Sequence, residues 1–207
     1  LFKDNNKNEM NRYYSLSLDY LFLFALPMMA GCIICSDDFV PVFFGPGYEP
    51  TRILLKLLSS LFVVLGMGQL IGSVLSAINK QKQVTFATII GAFTNFVLNM
   101  ILIRRFASVG AVIASIVAEL VVTSIDLLFL KSYFSLKCVC DSFLRYLFPT
   151  LIMSGVILMV RLAPLNNVIV LLSAEVLLGV VSYFIVLLKM KDHMIQYVLN
   201  TIKHHKP

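Results

Sequence analysis

Long runs of apolar residues, interrupted by short polar segments, dominate the pattern of this chain. Several runs exceed about 18 residues, which is enough for a helix to cross a hydrocarbon core about 30 Å thick. The strict alternation of a membrane β-barrel is absent, so the runs are predicted to be helices. Six transmembrane spans are predicted, at residues 19–36, 53–77, 84–103, 111–130, 146–163 and 168–188. The pattern therefore predicts an all-α integral membrane protein with a six-helix bundle.

Basic residues are concentrated on one side of this predicted topology. Most of the seventeen Lys and Arg residues fall in segments that share a side with the two chain ends, whereas the 37–50 connection contains acids and no base. The positive-inside rule then predicts that both ends are cytoplasmic. Residues 1–18 are interpreted as a cytoplasmic N-terminal segment, 19–188 as the transmembrane domain and 189–207 as a cytoplasmic tail.

The composition supports a membrane location and excludes several other classes. The chain is 59% hydrophobic and 14% charged, against about 25% charged residues in soluble proteins. The net charge of +6 is explained by membrane topology, so no nucleic-acid partner is predicted. Because the chain begins at Leu1 and shows no signal-peptide pattern, it is expected to be a piece of a longer protein.

Catalytic and metal-binding patterns are missing from the predicted spans. The histidines occur only in the C-terminal segment, at His193, His204 and His205, so none is predicted at membrane depth as a base or ligand. No nucleotide-binding loop or hydrolase signature is present. The cysteines are predicted to be free thiols, and no catalytic residue, metal or cofactor is predicted.

Two acids lie inside the fourth predicted span. Glu119 and Asp126 are seven residues apart, so they share one face of a helix. An acid at the bilayer centre costs roughly 2.5–3.5 kcal/mol on insertion scales, and such groups survive where they face other helices or a wet cavity. A functional role is favoured for Glu119. Asp126 is nearer the cytoplasmic end, and it could be either interfacial or cavity-lining.

Amide and basic side chains appear in the second and third spans. Gln69 lies on a stripe of small and hydroxyl residues, and its amide needs several hydrogen-bond partners. Lys56, near the end of that span, is interpreted as either an interfacial anchor or a cavity residue. Asn95 and Asn99 are one turn apart on the same face. Their amide groups could find hydrogen-bond partners either by packing against another helix or by lining a cavity.

Two further charged residues flank the last connection. Arg161 lies near the end of the fifth span and Glu175 lies in the sixth. The short turn at 164–167 would allow the two side chains to meet, which predicts a structural ion pair. The alternative leaves Glu175 as a third intramembrane acid.

Three stretches resemble the polysaccharide (O-antigen) flippase family of the multidrug/oligosaccharidyl-lipid/polysaccharide exporter superfamily. The sequence FFGPGYE at 43–49 is similar to the family's FG-x-x-Y turn, and NFVLNMILI at 95–103 is similar to its N-x-x-L-N-x-x-L-I pattern. The sequence GAVIAS at 110–115, followed by Glu119, resembles the run that opens the next span. The chain departs from the family at Arg104, where proline is usual, and at Ala107, where glycine is usual.

The resemblance implies one half of a transporter with twelve or more helices, which moves an undecaprenyl-pyrophosphate-linked oligosaccharide across the bacterial cytoplasmic membrane by alternating access. It implies that Gln69, Asn95 and Asn99 bind sugar hydroxyls and that Lys56 or Arg161 attracts the pyrophosphate. It also implies that three acids, Glu119, Asp126 and Glu175, couple transport to a proton or a sodium ion. Membrane lipids and other polysaccharide assembly proteins are the remaining expected partners.

Four alternative functions stay open on the sequence. A multidrug or cation exporter and a lipid II flippase of the same superfamily would share the fold and differ in cargo. A membrane-embedded glycosyl or acyl transferase would need an active site that the spans lack. An inert remnant is the fourth, because half a transporter encloses no complete pathway.

Overall fold

The structure is a computed structural model, and it describes residues 7–131, 136–164, 167–192 and 194. It has five long helices: α1 (Lys7–Phe44), α2 (Glu49–Ala77), α3 (Gln81–Leu130), α4 (Leu136–Arg161) and α5 (Val168–Lys189). All five are long and apolar enough to cross a membrane, and no strand occurs in the described ranges. The prediction of an all-α multi-pass membrane protein is confirmed.

Helix α3 contains two of the six predicted spans, because it folds back on itself at Ala107. A straight helix of 50 residues would be about 75 Å long. Instead, Ala107 has non-helical angles of φ 48° and ψ −127°, and the Nδ2 atom of Asn95 lies 3.4 Å from the Oγ atom of Ser115. Residues 81–106, the first arm, and residues 108–130, the second arm, therefore form an antiparallel hairpin.

The boundaries of two helices differ from the predicted spans. Helix α1 begins at Lys7 rather than near residue 19, because Tyr14 and Leu18, one turn apart, are buried in the core. Helix α4 begins at Leu136 and so takes in part of the predicted 131–145 connection. Amphipathic ends such as these carry little hydropathy signal, so hydropathy alone places them outside the spans. The cytoplasmic location of the end segments stays a prediction, and residues 1–6 and 195–207 lie outside the described residues.

Helix α1 occupies the middle of the bundle. It packs against α2 on one side and against α4 and α5 on the other, while the α3 hairpin packs mainly on α2. The core runs along both sides of α1, toward α2 and toward α4 and α5, and Leu18, Ile71, Tyr146 and Leu187 are among its almost completely buried residues. Large apolar side chains elsewhere, such as Phe93, are exposed on the outside, as expected for a surface in contact with lipid.

Candidate functional site

A polar cavity of about 420 Å³ lies between α2 and the two arms of α3. Its position on α2, from residue 68 to residue 76, is in the half of the bundle nearer the 78–80 turn. The charge bias of the sequence predicts that this half faces the cytoplasm. The lining residues are Gly68, Gln69, Gly72, Ser73, Ser76, Val84, Thr88, Glu119, Val122 and Asp126. The cavity therefore brings together Gln69, Glu119 and Asp126, three of the residues predicted from the sequence.

The small residues of α2 allow the second arm of α3 to approach closely. A Cβ atom placed on Gly68 would lie 2.5 Å from the Oε1 atom of Glu119 and 3.0 Å from the Oγ1 atom of Thr123. The absence of a side chain at Gly68 lets these two oxygens lie against the α2 backbone in this conformation. Gly68 thus brings polar groups of the second arm against the α2 backbone, and Gly72, in GxxxG spacing with it, faces the side chain of Val84 on the first arm.

The two acids of the cavity occupy different environments. Asp126 is only 1% exposed, and its Oδ1 atom has no hydrogen-bond partner in the described part of the chain. The Oγ1 atom of Thr123, one turn earlier, is likewise buried without a partner. Glu119 is half-buried at the mouth of the same face. Buried oxygens of this kind are satisfied when a water, a proton or a cation reaches them.

The ionisable residues that line the polar cavity are acidic. Glu119 and Asp126 are its two acidic residues, and no lysine or arginine lines it among the residues that the structure describes. Gln69, Ser73 and Thr88 add neutral hydrogen-bonding groups that are exposed to the opening. This arrangement favours a cation or neutral hydroxyl groups and disfavours a phosphate.

Asn95 and Asn99 lie outside this cavity and connect the arms of the α3 hairpin. The Nδ2 atom of Asn99 donates to the Oδ1 atom of Asn95 over 2.6 Å, and Asn95 in turn approaches Ser115. The sequence left two roles open for this pair, helix packing and cavity lining. In this conformation the two residues pack between the helices. Their contact with sugar hydroxyls stays a prediction.

Lys56 and Arg161 belong to a second polar group, the ion cluster, which also contains Asp37 and Asp38. The Nζ atom of Lys56 lies 2.9 Å from the Oδ1 atom of Asp37. The Nη2 atom of Arg161 lies 3.3 Å from Asp37 and 3.1 Å from Asp38. Its Nη1 atom donates to the carbonyl oxygen of Ile34 over 3.0 Å. Two acids therefore balance two bases where α1, α2 and α4 meet.

The predicted ion pair between Arg161 and Glu175 is wrong for this conformation, because Arg161 binds the acids of α1. Glu175 is completely buried, and neither of its carboxyl oxygens has a hydrogen-bond partner among the described residues. The thiol of Cys35 is one of its neighbours. No pattern in the sequence predicts that Arg161 binds Asp37, because Asp37 precedes Arg161 by 124 residues.

Another polar network, which the sequence analysis missed, joins α1, α4 and α5 at the opposite end of the bundle. Asp19 is 1% exposed and lies 3.3 Å from the Nη1 atom of Arg145. The hydroxyl oxygen of Tyr146 lies 3.3 Å from a carboxyl oxygen of Asp192. In the sequence, Asp19 and Arg145 lie at the edges of apolar runs. Ordinary residues of the membrane interface have the same pattern, so the pattern does not predict this contact.

Comparisons with known proteins agree with this fold. A glycan flippase from Haloferax volcanii, named "Probable low-salt glycan biosynthesis flippase Agl15", is 28% identical over 153 residues, which are 74% of this chain and 32% of the relative. A solved structure, "Lipid II flippase MurJ, inward closed conformation", is 22% identical, with a TM-score of 0.77, and covers 92% of this chain and 41% of that one. The chain thus spans well under half the length of both.

The family match covers most of the chain. The model of the family described as "Lipid II flippase MurJ" matches residues 1–179. The sequence resemblance is confirmed at the level of the superfamily, and the family that matches is the branch kept above as an alternative. The apolar helices, the polar cavity and this match together show that the chain belongs to the MurJ lipid II flippase family.

Proposed function

We propose that this chain forms part of a flippase that moves a lipid-linked sugar across a membrane by alternating access. The observation that carries the proposal is the polar cavity between α2 and the α3 hairpin, in a chain of the MurJ family. Polar groups at membrane depth are costly unless they face a hydrated space. A hydrated space between helices is what a sugar headgroup needs while its hydrocarbon chain stays in the lipid.

The neutral groups of the cavity suit the sugar part of the cargo. The Gln69 amide can donate to and accept from sugar hydroxyls. The Ser73 and Thr88 hydroxyls donate to the carbonyl oxygens of Gln69 and Val84, so they offer acceptor oxygens to the cargo. The cargo proposed first is an undecaprenyl-pyrophosphate-linked oligosaccharide. Lipid II is the second candidate, favoured by the family that matches residues 1–179. Both place the same chemistry, sugar hydroxyls next to a pyrophosphate, in the pathway.

The acids of the cavity are proposed to couple transport to a proton or a sodium ion. Asp126 has a buried oxygen without a hydrogen-bond partner in the described part of the chain. Glu119 lies about two helical turns earlier on the same arm, and both residues line the cavity. Without a lysine or arginine in the described lining, the cavity attracts a cation in exchange for bound water. Neutralising the acids would let the two halves of a transporter close over a dry cavity.

Two predicted roles need a different conformation from this one. Lys56 and Arg161 would attract a pyrophosphate only after release from Asp37 and Asp38, since the ion cluster is charge-balanced as it stands. Glu175 lies outside the polar cavity, and its part in ion coupling remains a proposal. We also propose a bacterial cytoplasmic membrane location, with both chain ends on the cytoplasmic side, and no catalytic step.

The proposal is tested in cells with the product of the whole gene. Deleting the gene should deplete the surface glycan and leave its lipid-linked precursor on the cytoplasmic side. Glu119→Gln should lower transport about tenfold, the scale of a typical coupling free energy, and remove its dependence on the ion gradient. Asp141→Asn is the matched control, because Asp141 is an exposed carboxylate at the start of α4.

The outcomes separate the two parts of the proposal. An unchanged precursor pool and surface glycan in the deletion strain would refute the flippase function. Full transport by Glu119→Gln with the normal response to the ion gradient would refute ion coupling through Glu119. The flippase function would not be affected by that result. A loss in Asp141→Asn equal to that in Glu119→Gln would show that the effect is not specific to the cavity.

A further inference from the structure

A second cavity, the apolar cleft, lies on the opposite side of α1 from the α3 hairpin. It has a volume of about 350 Å³ and is lined mostly by side chains of α1, α4 and α5. Its polar groups are the thiols of Cys32 and Cys35 and the hydroxyl of Tyr183. The Tyr183 hydroxyl donates to the carbonyl oxygen of Leu23 over 2.8 Å, so it is already satisfied. The cleft therefore offers apolar contacts and almost no hydrogen bonds.

The cleft exists because the chain places small residues on its walls. A Cβ atom built on Gly31 would meet nothing within 4 Å, and Gly179 faces the cleft from α5. Pro27 interrupts the hydrogen bonding of α1 beside them. Protein interiors are otherwise close-packed, and an empty apolar space loses dispersion contacts on every wall. Such a space at membrane depth is filled by whatever apolar group can enter it.

The shape of the cleft is long and narrow. Its lining on α1 runs from Leu23 to Phe39, which corresponds to about 24 Å along a helix at 1.5 Å per residue. When the volume of the cleft is divided by this length, the cross-section that results is about that of a single hydrocarbon chain. Phe24, Met28 and Val180 line it and are each about half exposed on the outer surface. The cleft therefore opens sideways, on the outer surface of the described bundle.

We propose that the apolar cleft binds one acyl chain of a membrane phospholipid. Water would find too few polar partners in it, and a sugar or a peptide would leave its polar groups unsatisfied. Another helix, about 10 Å across with its side chains, is too wide for a groove of this shape. This inference does not depend on the cargo of the flippase, because the bilayer supplies the ligand.

The experiment uses the intact protein in phosphatidylethanolamine and phosphatidylglycerol vesicles. The probe is a small fraction of phosphatidylcholine with a photoreactive diazirine in the middle of one acyl chain. After illumination, mass spectrometry maps the modified residues. Met153 and Ile157 are only 4% and 2% exposed and line the cleft, so only a chain inside the cleft can label them. Phe93, 70% exposed on the α3 hairpin, reports ordinary lipid contact.

Filling the cleft should remove the specific labelling. Gly31→Leu places a side chain in the open space, so labelling of Met153 and Ile157 should fall at least about tenfold while Phe93 stays labelled. Gly155→Leu is the matched control: a Cβ atom on Gly155 also meets nothing within 4 Å, but this residue does not line the cleft. It should label as the wild-type protein does.

Three results would overturn the proposal. The first is an absence of labelling at Met153 and Ile157 in the wild-type protein. The second is wild-type labelling in Gly31→Leu or, if that variant does not fold, in Val180→Phe, which narrows the opposite wall. The third is loss of the phospholipid labelling on adding an equal amount of a polyprenyl phosphate, which would assign the cleft to a polyprenyl chain instead.

Discussion

The turn of the α3 hairpin stores backbone strain at one residue, and replacing that residue should stabilise the protein. Ala107 has φ 48° and ψ −127°, a conformation that glycine adopts readily and L-residues rarely adopt. The turn is tight, since a Cβ atom on Gly110 would meet the backbone carbonyl of Leu102. Ala107 therefore cannot relax its angles without moving the arms apart. Ala107→Gly removes the strain and keeps the turn.

The size of the effect follows from two opposing terms. A positive φ at a non-glycine residue costs about 1–2 kcal/mol. Replacing alanine by glycine also lowers the free energy of unfolding by about 0.5–1 kcal/mol, because glycine gives the unfolded chain more conformational freedom. The net gain in the free energy of unfolding should be about 0.5–1 kcal/mol. The same substitution at Ala92, an exposed and regular helical residue of the first arm, should cost about 0.5–1 kcal/mol.

The assay is unfolding of the purified protein in mild detergent by a denaturing detergent. The chain contains no tryptophan, so the transition is followed by far-ultraviolet circular dichroism. Ala107→Gly should raise the midpoint and Ala92→Gly should lower it. If both variants lose stability by the same amount, Ala107 carries no strain and the proposed reason for the hairpin geometry is refuted.

Two further predictions concern contacts between helices. Asp19→Asn removes the charge that Arg145 contacts. It should cost about 1.5–3 kcal/mol in the same assay, because Asp19 is buried and a hydrogen bond to a charged group is weakened; an unchanged midpoint would show that the pair adds nothing to stability. Gly91→Ala places a Cβ atom against the side chain of Val122 and should be about 1–3 kcal/mol less stable than Gly155→Ala, which has open space. Equal stability of the two glycine variants would contradict close contact between the arms.

The site could be predicted from the sequence only as far as helical periodicity reaches. A spacing of seven residues placed Glu119 and Asp126 on one face, and the structure brings that face to Gln69 in the polar cavity. For Asn95 and Asn99 the same periodicity identified the shared face correctly. It could not decide whether that face lined a cavity or packed against the other arm, because both need the same polar side chains.

The amino-acid sequence by itself determined that this protein is a bundle of membrane helices, because apolar length and the cost of unpaired backbone groups in lipid leave no other solution. It also determined where polar groups enter the spans. Only the tertiary structure decided the partners of those groups. Arg161 binds Asp37 and Asp38 rather than the nearby Glu175, because helix packing, and not distance along the chain, brings opposite charges within reach.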